Sequence, residues 1–155
     1  MIEVSVCEKI EANATAVWNL VGGFNEMRRW LPGVEHSTKS GEEVVGVERT
    51  LLISGGAQIV ERLDTYDDEG RSYSYSFVDG PLPVTRCATT LRVDPDGEHA
   101  CILSWTSRIE PEENRPPEDV AQLYEALYRA GIGNVRRLMA RTYGGAGAAS
   151  EATEP

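Results

Sequence analysis

Two histidines, three cysteines and no long apolar run are the absences that narrow this chain first. His36 and His99 stand far apart with no ligand spacing around them, so neither a metal centre nor a bound cofactor is expected. Cys7, Cys87 and Cys101 are widely spaced in strand-like segments and read as buried free thiols of a reducing cytoplasm. No apolar stretch is long enough to span a bilayer, and nothing at the N-terminus resembles a signal peptide. Basic residues are also scarce, 15 against 25 acidic ones, for a net charge of −10. Without a basic stripe or a basic helix, nucleic acid and anionic membrane surfaces are excluded as partners. The acidic excess, part of it in the tail and in turns such as Asp67-Asp68-Glu69, reads as solubility. What remains is a chain of 155 residues, 41% hydrophobic, which suits one globular domain with a real core.

Residues 2–9 alternate as a first strand, and Asn13 offers an N-cap for a short helix through Val17, Trp18, Leu20 and Val21. Gly22-Gly23 ends that helix, and a second short one follows around Asn25–Arg29. Six further strands are predicted at about 33–38, 44–53, 57–66, 71–78, 83–94 and 99–110. Turn chemistry links them, as in Asp68-Glu69-Gly70, Asp79-Gly80-Pro81 and Asp94-Pro95-Asp96-Gly97. A proline-rich lead, Glu113–Pro117, opens a long helix over about 118–142 with a stripe at Val120, Leu123, Tyr124, Leu127, Gly131, Val135 and Leu138. Gly131 and Gly133 cost that helix roughly 1 kcal/mol each relative to alanine. They imply either close backbone approach or space left for a ligand. The domain is expected over 1–143, with a disordered Gly/Ala/Ser/Glu tail over 144–155. The order is β-α-α-β6-α, an α+β fold whose curved seven-stranded antiparallel sheet wraps a long C-terminal helix around an internal cavity.

Two charges sit where strand parity calls for apolar residues. Arg49 shares its face with Val45, Val47, Leu51 and Ile53, and Glu61 shares its face with Ala57, Ile59 and Leu63. Ser54-Gly55-Gly56 between the runs reads as a three-residue hairpin loop, which sets Arg49 directly opposite Glu61. Directly opposed residues have Cβ atoms about 4.5–5.5 Å apart. The pattern therefore points to a buried pair of opposite charge inside the sheet. The same arithmetic, carried across later turns centred on Asp68, Pro81 and Asp96, pairs Tyr75 with Glu61, Cys87 with Tyr75 and Trp105 with Cys87.

Particular residues carry a resemblance: Ala16-Val17-Trp18, Phe24, Trp30-Leu31-Pro32-Gly33, Gly46-Val47-Glu48-Arg49, Glu61-Arg62-Leu63, Tyr73-Ser74-Tyr75, Pro81-Leu82-Pro83 and Trp105. In this order they resemble the START-related helix-grip superfamily, and within it the polyketide cyclase/dehydrase branch of small bacterial proteins. The resemblance covers about residues 2–142 and implies a deep, mostly apolar cavity between sheet and helix. The plant lachrymatory-factor synthases look like relatives of the same branch, and their catalytic arginine and glutamate would fall on Arg49 and Glu61. Ser54-Gly55-Gly56 and Asp79–Pro83 are similar in position to the gating loops of abscisic-acid receptors, though the first lacks their Leu-Pro.

In such a chamber Arg49, Glu61 and Tyr75 are the candidate catalytic residues. Arg49 would hold a carbonyl oxygen, Glu61 would move a proton, and Tyr75 would donate to the same oxygen. That trio suits cofactor-free cyclisation, dehydration or isomerisation of a small hydrophobic carbonyl compound, polyketide-like or aromatic. The alternative is a non-catalytic carrier or sensor of a hydrophobic small molecule, with Arg49 and Glu61 only fixing register. The expected lining is Trp30, Leu51, Ile59, Tyr73, Phe77, Cys87, Leu103, Trp105, Tyr124, Leu127 and Gly131, around roughly 300–1,000 Å³. A monomer or weak homodimer is expected, without membrane insertion.

Overall fold

The computed structural model describes residues 1–144, with side chains through Thr142, so the expected tail over 144–155 lies essentially outside the described residues. Strand β1 (Ile2–Ile10) leads into helix α1 (Ala14–Val21) and a 3₁₀ helix (Phe24–Arg29). Strands β2 (Val34–Lys39), β3 (Glu48–Ile53), β4 (Gln58–Asp67), β5 (Ser72–Asp79), β6 (Val84–Pro95) and β7 (Cys101–Pro111) follow, then helix α2 (Pro117–Met139) and a π-helical turn (Ala140–Gly144). The strands form one antiparallel sheet in the order β1-β7-β6-β5-β4-β3-β2. This is the helix-grip arrangement, with α2 held against the inner face.

Local chemistry explains the boundaries. Asn13 caps α1 by accepting from the Thr15 and Ala16 amides at 2.8 and 3.3 Å. Its own amide donates to the Glu98 carbonyl at 2.9 Å, fastening α1 to the β6–β7 turn. At Gly22 a Cβ would stand 2.6 Å from the Trp18 indole, so only glycine lets the helix close there. Helix α2 is tied to β1 by Arg136, which donates to the Lys9 carbonyl at 2.9 Å and pairs with Glu8 at 2.9 Å. Asn134 ties the same helix to the Trp30 carbonyl at 2.8 Å.

The structure departs from the sequence reading in register and in edges. Arg49 does lie opposite Glu61. Beyond that hairpin, however, Glu61 faces Phe77 rather than Tyr75, Tyr75 faces Thr89 rather than Cys87, and Cys87 faces Ile109 rather than Trp105. The turns are centred further along the chain than assumed: β4–β5 turns through Asp68–Arg71 with Arg71 at φ 51°, and the Asp96 amide donates to the Ala100 carbonyl across the β6–β7 connection. Val45 is 59% exposed and outside β3, because Gly46 at φ 98° breaks the run before Val47. Cys7 is exposed on the outer face of β1, whereas Cys87 and Cys101 are buried; all three are free thiols. Along α2 the buried face is Val120, Tyr124, Tyr128, Gly131, Ile132, Val135 and Met139, which leaves Leu123 and Leu127 50% and 39% exposed.

Candidate ligand-binding site

The hairpin of β3 and β4 positions the charged pair. Arg49 donates from Nε and Nη2 to the same Glu61 oxygen, Oε1, at 2.9 and 2.7 Å, and from Nη1 to the Phe24 carbonyl at 2.5 Å. Its guanidinium lies 4.2 Å from the centre of the Phe24 ring and 4.6 Å from that of Tyr75. Burial works against this cation, but Glu61, with Tyr73 and Tyr75, outweighs it and holds the guanidinium above its usual range. Arg49 is wholly buried, while the Glu61 side chain keeps 14% of its surface. Glu61 Oε2 takes no hydrogen bond from the described residues.

Between this hairpin, β5–β7 and α2 lies a cavity of about 230 Å³, smaller than the sequence suggested. Glu61, Tyr75, Leu51, Ile59, Phe77, Cys87, Trp105, Tyr124 and Leu127 line it as expected. Five of the expected residues do not. Arg49 is wholly buried behind Glu61, with the Phe24 and Tyr75 rings packed against its guanidinium. Trp30 is packed on Trp105, with ring centres 5.2 Å apart. Tyr73 is enclosed by Trp18, Phe24 and Tyr66. Leu103 is fully buried in the core away from the opening. Gly131 provides close approach rather than ligand space: an added Cβ would stand 2.8 Å from Trp105 and 2.9 Å from Leu31.

Reasoning from sequence missed several wall residues. Leu31, Pro32, Gly33, Leu82 and Leu123 line the cavity together with Leu127. The Leu-Pro-Gly and Pro-Leu-Pro signatures were the signal for the first four, and the apolar stripe of the long helix was the signal for Leu123. The Ser54 amide and hydroxyl both donate to the Gly33 carbonyl, at 2.8 and 3.3 Å, so the β3–β4 loop is stapled to the segment leading into β2. Deeper inside, Thr89 and Ser107 hydroxyls lie 2.6 Å apart, and Ser107 continues the chain to Tyr128. Tyr128 in turn stacks on Trp105, with centres 4.1 Å apart. Trp105 Nε1 donates to the Tyr75 hydroxyl at 3.0 Å. Burial, reinforced by Glu61, raises the Tyr75 phenol well above its ordinary range, so it stays protonated. Burial likewise pushes up the Cys87 thiol and the Tyr124 phenol. Such a thiol is a poor nucleophile. Tyr124 is 5% exposed, and among the described residues its hydroxyl makes no hydrogen bond, although the Cys87 thiol lies beside it.

Among the described residues, no group of three or more His, Cys, Asp or Glu side chains could hold a metal ion. None of the described helices is long and apolar enough to cross a membrane. His36 is exposed on β2 and His99 in the β6–β7 turn, both away from the cavity wall.

A curved antiparallel sheet gripping a C-terminal helix over an apolar chamber defines the START-like, helix-grip class. Residues 1–140 match the family described as polyketide cyclase / dehydrase and lipid transport, and the chain belongs to that family. It is similar to the solved structure of XoxI from Bacillus cereus, with 27% identity, a TM-score of 0.84 and coverage of 90% of this chain and 96% of that one. A protein of Thermobifida fusca is similar at 27% identity and a TM-score of 0.79, covering 92% and 96% of the two chains. Abscisic acid receptor PYL7 of Arabidopsis thaliana is 22% identical over 129 residues, 79% of this chain; the match spans 61% of the receptor's length.

Proposed function

We propose that this chain binds a small, predominantly apolar molecule in the chamber between sheet and α2, with Glu61 receiving the molecule's polar group. The observation that carries this is a cavity of about 230 Å³ whose wall is apolar apart from one carboxylate and a few hydroxyl and thiol groups. A cavity of about 150 Å³ already holds benzene, so a bicyclic aromatic is within range. The family's description includes lipid transport, and the name of PYL7 makes that relative a receptor for a small molecule. Naphthalene is a suitable first probe. Titration followed by tryptophan fluorescence should give saturable binding, because Trp105 is in the wall. Ile59→Trp, which fills the chamber from β4, should weaken that binding at least tenfold. Unchanged affinity in the folded variant would remove the chamber as the site.

A second reading is proton transfer, in a cofactor-independent cyclisation, dehydration or isomerisation of a carbonyl substrate. It is favoured by the arrangement of Glu61, whose Oε1 is held by Arg49 while Oε2 has no donor among the described residues, in a wall shared with Tyr75. In that reading Glu61 is the base, Tyr75 donates a hydrogen bond to the oxygen of the enolised substrate, and Arg49 is a positioning residue. Arg49 does not reach the cavity, which removes the direct oxyanion contact expected from sequence. Glu61→Gln would then abolish turnover while preserving substrate binding. Turnover surviving in the folded variant eliminates this chemistry.

A further inference from the structure

Charge along the cavity wall is one-sided. Glu61 is the charged side chain among the lining residues, and no lysine, arginine or histidine is among them. Its partner does not neutralise this for an incoming ligand, because the pair has a direction. Arg49 lies behind, fully buried, with Nε and Nη2 committed to Oε1, Nη1 to the Phe24 carbonyl and the Phe24 and Tyr75 rings packed against it. A ligand in the chamber therefore meets the carboxylate before the guanidinium. The opposite wall supplies a second, independent feature. Among the described residues the Tyr124 hydroxyl makes no hydrogen bond, the Cys87 thiol being the polar group beside it, and its side chain is 5% exposed and lines the same cavity. A buried hydroxyl left unpaired costs free energy, so a ligand oxygen that accepts from it gains affinity.

We infer that the chamber selects uncharged ligands bearing a hydroxyl group, which donates to Glu61 while a ligand oxygen accepts from Tyr124, and that it turns away carboxylates of the same shape. The inference rests on the binding reading above and adds its selectivity. A carboxylate has no proton to give Glu61 and brings a second negative charge into a water-poor space with no cation in contact. A hydroxyl can donate and accept at once, which is what the two walls ask for.

Three probes of one ring system test this: naphthalene, 2-naphthol and 2-naphthoate, titrated at pH 7, where the naphthol is neutral and the naphthoate charged. In the unmodified protein, 2-naphthol should bind at least tenfold tighter than 2-naphthoate. Glu61→Gln removes the charge and keeps the shape, so that ratio should shrink to within about threefold. Tyr124→Phe should weaken 2-naphthol about threefold to tenfold and leave naphthalene unchanged. Because the Tyr124 hydroxyl makes no hydrogen bond among the described residues, its variant should fold even where Glu61→Gln does not. Equal affinity for naphthol and naphthoate overturns the inference. So does undiminished selectivity in folded Glu61→Gln, or unchanged naphthol affinity in Tyr124→Phe. Failure of all three probes to bind is a different result, since it removes the binding reading itself.

Discussion

Behind the sheet wall of the chamber Arg49 makes three hydrogen bonds and packs against two aromatic rings, whereas on the helix wall the Tyr124 hydroxyl makes none among the described residues. The first group is charged and could not be buried alone; the second is neutral, and its desolvation costs much less. The fold has therefore paired the group it cannot leave bare and left the tolerable one without a hydrogen bond. Packing divides the same way along α2. At Gly131 the helix touches Trp105 and Leu31 with no room for a methyl, while one and two turns earlier Leu127 and Leu123 stand half exposed at the rim. Stability resides in the sealed pair and the tight crossing. In the proposed binding reading, ligand chemistry falls to Glu61 Oε2, Tyr124 and the open end of the helix.

The strongest way to break this contrast is to remove the cation alone. Arg49→Met leaves the Glu61 carboxylate and the Phe24 carbonyl without their donor. Breaking one partner of a buried pair costs about 3–5 kcal/mol. At about 2–4 °C per kcal/mol for a chain of this size, the melting temperature should fall by roughly 10 °C. The double variant Arg49→Met/Glu61→Leu should recover most of that loss, because replacing both charges with apolar groups removes the desolvation penalty. Urea unfolding of the three proteins separates the accounts. A single variant losing under about 1 kcal/mol would mean that the pair is not what closes the sheet wall.

A smaller effect is expected at the tight crossing. Gly131→Ala gains about 0.8–1.0 kcal/mol of helix propensity. Against it, the new methyl would sit 2.8 Å from Trp105 Cζ3 and 2.9 Å from Leu31 Cδ1, both well buried. Overpacking of this kind costs about 1–3 kcal/mol, so the net should be a loss of roughly 1 kcal/mol. Trp105 and Leu31 also form part of the cavity wall, so naphthalene affinity should fall in the same variant. A more stable Gly131→Ala with unchanged binding would show that the crossing has slack.

These results bear on how much of the molecule its sequence discloses. Parity on β3 and β4 disclosed the buried pair, since each charge replaced an aliphatic in an alternating run and the short loop left one register. The later strand pairings came out two, two and four residues away along the partner strands. Those displacements are even, so Tyr75, Cys87 and Trp105 still face inward although their partners differ. Turn lengths and the irregularities within β4 are set by tertiary packing, which alternation does not record. Parity also says which face a residue takes but not where along that face the helix leaves a void. Tyr73 and Leu103 are inward and packed; Tyr75 and Trp105 are inward and lining. On α2 the aliphatic leucines drew the stripe to 123 and 127, although the phenol of Tyr128 takes the buried place by stacking on Trp105 and bonding Ser107.

Gly133 sharpens the contrast with the smallest expected change. Sequence alone could not separate it from Gly131, since both are glycines inside one helix and both suggested close approach or ligand space. The structure gives Gly133 neither role: a Cβ built there meets only Arg137 Nη1, at 3.8 Å, the far end of a flexible side chain, and the residue is not in the cavity wall. Its φ lies in the ordinary helical range, so alanine brings no backbone strain. What remains is the entropy that glycine surrenders on entering a helix, about 0.8–1.0 kcal/mol relative to alanine. Gly133→Ala should therefore raise stability by roughly that amount, as a higher urea midpoint at unchanged slope, with naphthalene affinity untouched. A destabilised Gly133→Ala would mean that α2 needs a compliant point next to its tight one, and the division between a sealed and an open stretch of the helix would have to be redrawn around both glycines.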